Sequence, residues 1–353
     1  MNGAAGPPTT RRLDELWARI HQLRLAVVGD FFLDAYYDCD PELAERSVET
    51  GRVCHQVVRT RRQAGAAGTV AANLAALGVG AIHAVGFCGD DGEGYELRRA
   101  MARLGLDLAG FVVCADRFTP TYGKPCHIDT SQPGAPVTQE LERLDVKNRQ
   151  PTPTGLQKRL LEYVRDQVGS WSGVAILDQA NEAECGVVTT RLRGALTRTA
   201  RQRPETVFLA DSRERIGQFT DLCIKPNEFE AARALGHGGR PSPTASARHA
   251  AALSARTGRP VFLTAGARGI CIADGDQVTW VPAIAVSGPI DPVGAGDTTS
   301  AALLASLAAG ATLVEAAWIA VLAASITVQQ LGTTGTATRA QIRCRSREVR
   351  RGA

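Results

Sequence analysis

The sequence predicts an α/β protein, a three-layer sandwich whose mostly parallel central sheet is covered by helices on both faces, with a small β-sheet lid. Three observations predict it. Short apolar runs alternate with helical patterns along most of the chain, the signature of strands joined by helical crossovers. Two stretches, about 35–63 and 119–145, break the alternation with strand-like runs and no helix between them. The chain has 353 residues, 44% hydrophobic and 22% charged, enough to bury a sizeable core.

The elements follow in order. Arg24–Gly29 is a short apolar run with Val27 and Val28, ended by Gly, and reads as a buried first strand. Similar runs recur at Ala81–Gly86, Phe111–Cys114, Val174–Leu177, Val207–Ala210, Leu222–Ile224 and Val261–Thr264. Helical patterns lie between most of them, at Gly68–Leu77, Tyr95–Leu104, Thr154–Val168, Val188–Arg201, Glu228–Leu235 and Ser246–Thr257. The helix-free stretches contain alternating runs, Val53–Arg59 and Tyr122–Ile128, which pair naturally into a sheet standing off the body. After Val278–Val286 comes a glycine-rich turn, then two Ala-rich helices, the second over Leu313–Val328.

This composition excludes disorder, collagen and coiled coil. No window reaches the ~18 uninterrupted apolar residues of a membrane span, and Met1–Thr10 is small and polar before Arg11 and Arg12, so a cytoplasmic protein with no membrane partner is expected. Nine cysteines, an odd number with no CxxC pair, fit buried free thiols. The formal charge of +4 hides an asymmetry, because six arginines lie within residues 339–353. That tail has no aromatic residue for base stacking, so a solvated C-terminus is expected and nucleic acid is disfavoured. The division expected is an N-terminal extension over 1–23, a catalytic body over 24–335 and a basic tail over 336–353.

The common nucleotide and metal signatures are missing: no GxxxxGK[ST], no GxGxxG after a strand, no HxGH and no HExxH. What stands out is Asp291-Pro292-Val293-Gly294-Ala295-Gly296-Asp297-Thr298-Thr299, running straight into a helix. Glycines at 294 and 296 let backbone N–H groups face outward at the positive end of the helix dipole, which forms an anion hole. A simple N-cap would account for Asp297 alone, but not for two glycines and a second carboxylate before it. A carboxylate beside a phosphate-sized hole suits a phosphoryl-transfer enzyme, which must take a proton from an attacking hydroxyl.

The run DPVGAGD resembles the C-terminal signature of the PfkB (ribokinase-like) family of carbohydrate kinases. Other pieces fall in that family's order: Gly29-Asp30-Phe31-Phe32-Leu33-Asp34 resembles its GDxxLD, Gly65–Gly78 its GGAxNVAxxLAxLG, and Gly86–Gly94 its GxxGxDxxG. Lys225–Glu230 resembles PNxxE and Thr264–Gly269 resembles TxGxxG. The resemblance covers roughly 24–335, and within the family the heptose 7-phosphate kinase branch is the nearest likeness.

The resemblance implies a ribokinase-like fold, ATP and Mg²⁺ as cofactors, and a sugar or sugar phosphate as acceptor. Asp297 would be the base, with the N–H groups of Gly294, Ala295, Gly296 and Asp297 holding the phosphoryl group. Asp34, at the carboxyl end of strand one, would bind sugar hydroxyls together with Gly65 and Thr69. Lys124 and Arg143 in the lid would meet a substrate phosphate, and Asp211 would lie near substrate or metal. Lys225, Asn227, Thr264, Gly266 and Gly269 would line the ATP side. Asn227 and Glu230 would hold Mg²⁺ through water, and Asp291 a monovalent cation such as K⁺.

Two departures bear on specificity. Thr69 stands where the family has Asn, offering one hydroxyl instead of an amide, and Gly65-Ala66 replaces Gly-Gly. Two competing readings are a nucleoside kinase of the same fold, for which Phe31 and Phe32 beside Asp34 speak, and a non-catalytic sugar-binding or regulatory module. Exposed edges of a β lid also predict a homodimer through it.

Overall fold

The computed structural model describes residues 6–352; residues 1–5 of the expected extension and Ala353 of the tail lie outside the described residues. In chain order the elements are α1 (Thr10–Ile20), β1 (Arg24–Gly29), β2 (Phe31–Arg46), β3 (Val53–Ala66), α2 (Ala67–Ala76), β4 (Ala81–Gly89), α3 (Gly92–Arg103), β5 (Asp107–Cys114), β6 (Thr121–Ile128), β7 (Val137–Glu140), β8 (Leu144–Val146) and α4 (Thr154–Gln167). They continue with β9 (Gly173–Asp178), α5 (Thr190–Gln202), β10 (Val207–Ser212), β11 (Cys223–Ile224), α6 (Glu228–Ala234), α7 (Pro243–Thr257), β12 (Val261–Thr264), β13 (Ile270–Asp274), β14 (Gln277–Val281), α8 (Ala295–Ala308), α9 (Leu313–Thr327) and α10 (Arg339–Gly352).

Nine strands form the main sheet in the order β14-β13-β12-β11-β10-β9-β1-β4-β5. From β12 to β5 every pairing is parallel, and β13 and β14 add an antiparallel edge. Successive residues of β1 feed opposite faces: Leu25 and Val27 join the core under α1, α2, α8 and α9, whereas Ala26 and Val28 join the core under α4, α5 and α7. Both faces of the strand are thus apolar, which is why it reads as a continuous run. The carboxyl ends of these strands face the cleft where α8 begins.

The second sheet comprises β3-β2-β6-β7, with β8 also paired to β6. In it β2 pairs antiparallel with β3 and parallel with β6. The lid therefore springs from the end of β1, since β2 starts at Phe31 only two residues after Gly29.

Both termini are helical, and the tail departs from expectation. The extension contains α1, whose Leu13, Leu16, Trp17 and Ile20 are buried in the main core. The basic tail is α10, not a solvated coil: Ile342 and Ser346 are buried. Its arginines find partners, with Arg343 paired to Asp14 at 3.1 Å and Arg350 donating to the Pro7 carbonyl at 2.7 Å. A narrow apolar stripe, one residue per turn, is masked in the sequence by the charge around it. All nine cysteines are free, five of them buried. No helix among the described residues is long and apolar enough to cross a membrane.

Candidate active site

The loop Asp291–Gly294 turns into α8 through Gly294, whose φ of 81° and ψ of −5° is a left-handed conformation that a glycine adopts at no steric cost. No side chain caps the helix there. Ala295 N–H donates to the Pro292 carbonyl at 3.2 Å, and the helical ladder starts with Thr298 N–H donating to Gly294 at 2.9 Å. Between them, the amides of Gly296 and Asp297 fall in the first turn, where a helix has no ladder partner to offer. Of the four amides expected to form a hole, these two are the ones that the first turn leaves without a ladder partner.

A buried cation lies beneath this turn. A Cβ on Gly296 would sit 3.8 Å from Lys225 Nζ. Lys225 comes off the end of β11 and pairs with Asp211, at the end of β10, at 2.9 Å. Ser300 of α8 donates its hydroxyl to the same Asp211 at 2.8 Å. Burial opposes the Lys225 charge, but Asp211, Glu230 and Asp297 outweigh it and hold the ammonium above the ordinary lysine range. Burial and the Asp211 charge push Asp297 up to about 7, against the pull of Lys225 and Arg213. Asp34 adds to that upward push, so both expected carboxylates share one electrostatic neighbourhood.

Asp34 lies on β2, at the root of the lid, and not on the first strand. It is buried, and Lys124 of β6 pairs with it at 3.0 Å while also donating to the Tyr36 hydroxyl at 3.2 Å. Lys124, expected at a substrate phosphate, is thus paired with Asp34. Gly65 lies close to Asp34: a Cβ there would be 2.5 Å from Asp34 Oδ2. Ala66 adopts φ 53°, ψ −116°, a region that strains an L side chain. Thr69, in the first turns of α2, is buried and its hydroxyl has no hydrogen-bond partner. Arg143 is exposed, pairs with Asp145 at 2.6 Å and stacks over the Tyr122 ring.

On the opposite side, Asn227 and Glu230 form a capping box at the start of α6, the Asn accepting from the Phe229 and Glu230 amides and the Glu from the Asn227 amide. Glu230 is raised to about 7 by burial and Asp211, opposed by Lys225. Thr264 N–H donates to the Pro226 carbonyl at 2.9 Å, which brings the Thr264–Gly269 turn beside Asn227. Gly266 and Gly269 both occupy that turn. Asp291 accepts from the Val293 and Gly332 amides and pairs with no Lys or Arg among the described residues.

Two residues of the site were not singled out in the sequence. Asp30, within GDxxLD, accepts from the amides of Gln179, Ala180 and Val187 at 2.6–2.8 Å and so shapes the loop after β9 that walls the cleft. Burial and Asp178 raise it to about 6, against those three amides. Arg213, two residues past Asp211, is the other; the signal was a cation just beyond a strand-ending acid. Phe31 packs edge-on against Phe111 in the core, and both it and Phe32 line the pocket beside the lid.

Residues 195–340 match the model of the pfkB family carbohydrate kinases, a span that includes the loop into α8, Lys225 and Asp211. Curated relatives match nearly the whole chain: the bifunctional protein HldE of Trichlorobacter lovleyi is 27% identical over 339 residues, 94% of this chain and 64% of the relative. That of Caulobacter vibrioides is 31% identical over 312 residues, 87% and 60%.

The C-terminal part of the chain, residues 195–340, is similar to the pfkB family carbohydrate kinases.

The chain spans less than two thirds of the length of the bifunctional relatives it matches. Its fold is ribokinase-like: Escherichia coli phosphofructokinase-2 solved with fructose-6-phosphate superposes with TM-score 0.70 at 18% identity, covering 93% of this chain and 100% of that one. Arabidopsis thaliana ribokinase solved with ribose and ATP superposes with TM-score 0.66 at 17% identity, covering 92% and 99%.

Proposed function

We propose that this kinase transfers the terminal phosphoryl group of ATP to a hydroxyl of a sugar or sugar phosphate, with Asp297 as general base and the Gly296 and Asp297 amides as the anion hole. The observation that carries this reading is the position of Asp297: in an uncapped first helical turn, above the buried Lys225 and within the field of Asp34. A carboxylate raised to about 7 is matched to proton transfer at neutral pH. The acceptor hydroxyl gives its proton to Asp297 as its oxygen attacks phosphorus. The amides and the Lys225 charge meet the negative charge on the transferring group.

Asp34 binds the acceptor's hydroxyls, held in place by Lys124 and by the space that Gly65 leaves open. Thr69 supplies a hydroxyl from α2. Asp211 keeps Lys225 charged. The Thr264–Gly269 turn, Asn227 and Lys225 flank the nucleotide. Among the described residues no group of three or more His, Cys, Asp or Glu is arranged to hold a metal ion, which suits an ion that arrives with the nucleotide and keeps its waters. Asn227 and Glu230 fit that water shell, since the capping box leaves Glu230 Oε1 and the Asn227 amide group uncommitted. Mg²⁺ there would neutralise phosphate charge. Asp291, unpaired by any cation, fits a monovalent ion beside the hole.

The test is ADP release from Mg-ATP across a panel of sugars and sugar phosphates, with nucleosides included. Turnover with a sugar or sugar phosphate supports the reading; turnover with nucleosides alone, or with none of the panel, overturns it.

A further inference from the structure

The cleft holds a cation that phosphoryl transfer, as described, leaves unused. Arg213 leaves the end of β10 with its amide donating to the Asp178 carbonyl at 3.2 Å. Its side chain is exposed. Nε donates to Gln179 Oε1 of the body at 2.9 Å, and Nη1 reaches the Tyr122 hydroxyl of the lid at 3.5 Å. Both partners are neutral. The other cleft cations are matched by acids: Lys225 by Asp211, Lys124 by Asp34, Arg143 by Asp145 and Arg215 by Asp178. Among the described residues Arg213 alone of these has no carboxylate partner. Gln179 and Tyr122 also line the pocket that opens between β9 and the lid, with Phe32, Lys147 and Asn181.

An exposed guanidinium held by two neutral acceptors keeps its remaining N–H donors and its full charge for something else. Its planar fork fits the oxygens of a phosphate. We propose that Arg213 binds a phosphate oxygen of the bound substrates, bridging body and lid across the cleft. This rests on the kinase reading above. The phosphate is either the transferring group or one already on the acceptor. A second consequence concerns Asp297: it is faced by Asp211 and Asp34, which raise it, and by Lys225 and Arg213, which lower it. Loss of Arg213 therefore makes Asp297 harder to ionise.

The experiment compares the parent with Arg213→Gln and Arg213→Lys, using Mg-ATP and acceptors taken from the panel as phosphorylated and unphosphorylated pairs. If the transferring group is the ligand, Arg213→Gln lowers kcat on the order of 10²-fold for every acceptor, with KM nearly unchanged. If the acceptor's phosphate is the ligand, only phosphorylated acceptors lose, and they lose in KM. In both cases Arg213→Lys recovers part of the loss, and the acidic limb of the pH profile moves to higher pH in Arg213→Gln. Changes within twofold for both members of a pair, with an unmoved limb, overturn the proposal. A calorimetric titration with inorganic phosphate runs in parallel and needs no turnover: at least tenfold weaker binding to Arg213→Gln than to the parent is expected, and equal binding counts against Arg213 even if no acceptor is found. A parent silent on the whole panel would refute the kinase reading separately.

Discussion

Lys225 Nζ lies 2.9 Å from Asp211 Oδ2, directly below the turn that carries Gly296 and Asp297. Each carboxylate near it leans on that one charge, because Lys225 is the first cation opposing the upward shifts of both Asp297 and Glu230. Breaking a buried pair by removing one partner typically costs ~3–5 kcal/mol.

Lys225→Met is therefore expected to lower the melting temperature clearly and to move the acidic limb of kcat/KM to higher pH. The sign follows from Asp297: without the cation its acid form persists to higher pH, and the base is available only above it. A pH–rate profile with a limb unchanged from the parent would remove Lys225 from the electrostatics of the base.

Gly65 and Ala66 make opposite predictions one residue apart. Gly65→Ala drives a Cβ to 2.5 Å from Asp34 Oδ2, while Lys124 holds the other oxygen of that carboxylate, so acceptor KM should rise at least tenfold, with ~1–3 kcal/mol lost to overpacking. Ala66→Gly relieves the left-handed strain at φ 53° and should stabilise by about 1 kcal/mol. Thermal melts of the two variants moving in the same direction would contradict the geometry of this turn.

Thr69 presents a buried hydroxyl with no partner. If it serves the acceptor, Thr69→Asn supplies an amide and changes the ranking of acceptors, since a site built for a polar group discriminates by up to ~10⁴-fold. Asp34→Ala should instead weaken every acceptor. A substrate panel with the same ranking in the Thr69 variant would leave residue 69 with a packing role only.

The lid exposes Val53, Val57, Val58 and Leu144, and β3 and β7 are its edges. Pairing with a second copy would cover them, so a homodimer is expected by light scattering at micromolar concentration. A fully active monomer under those conditions would refute it.

Much of this was legible in the sequence because it is carried by local pattern. The strand and helix alternation gives the parallel sheet, and the glycines before Asp297 mark the turn into α8. What escaped depends on distant register. Lys124 meets Asp34 because β2 and β6 run parallel with Asp34 opposite Tyr122 and Tyr36 opposite Lys124, and nothing local announces that pairing. The role of Asp30 is not local either, since its three amide donors come from residues about 150 positions away. The strand β13 was missed because a short run after a glycine turn carries little signal without its partner β14. The helix α10 was hidden by its arginines, whose partners lie on α1 and α9.

The central claim is that Asp297 is the base. The most direct measurement is steady-state turnover of Asp297→Asn beside calorimetric titration with Mg-ATP. The account predicts a loss of about 10²–10⁴ in kcat with nucleotide affinity nearly intact, because Asn keeps the shape of the turn and its amides. An Asn variant that turns over at the parent rate while binding Mg-ATP normally would contradict it.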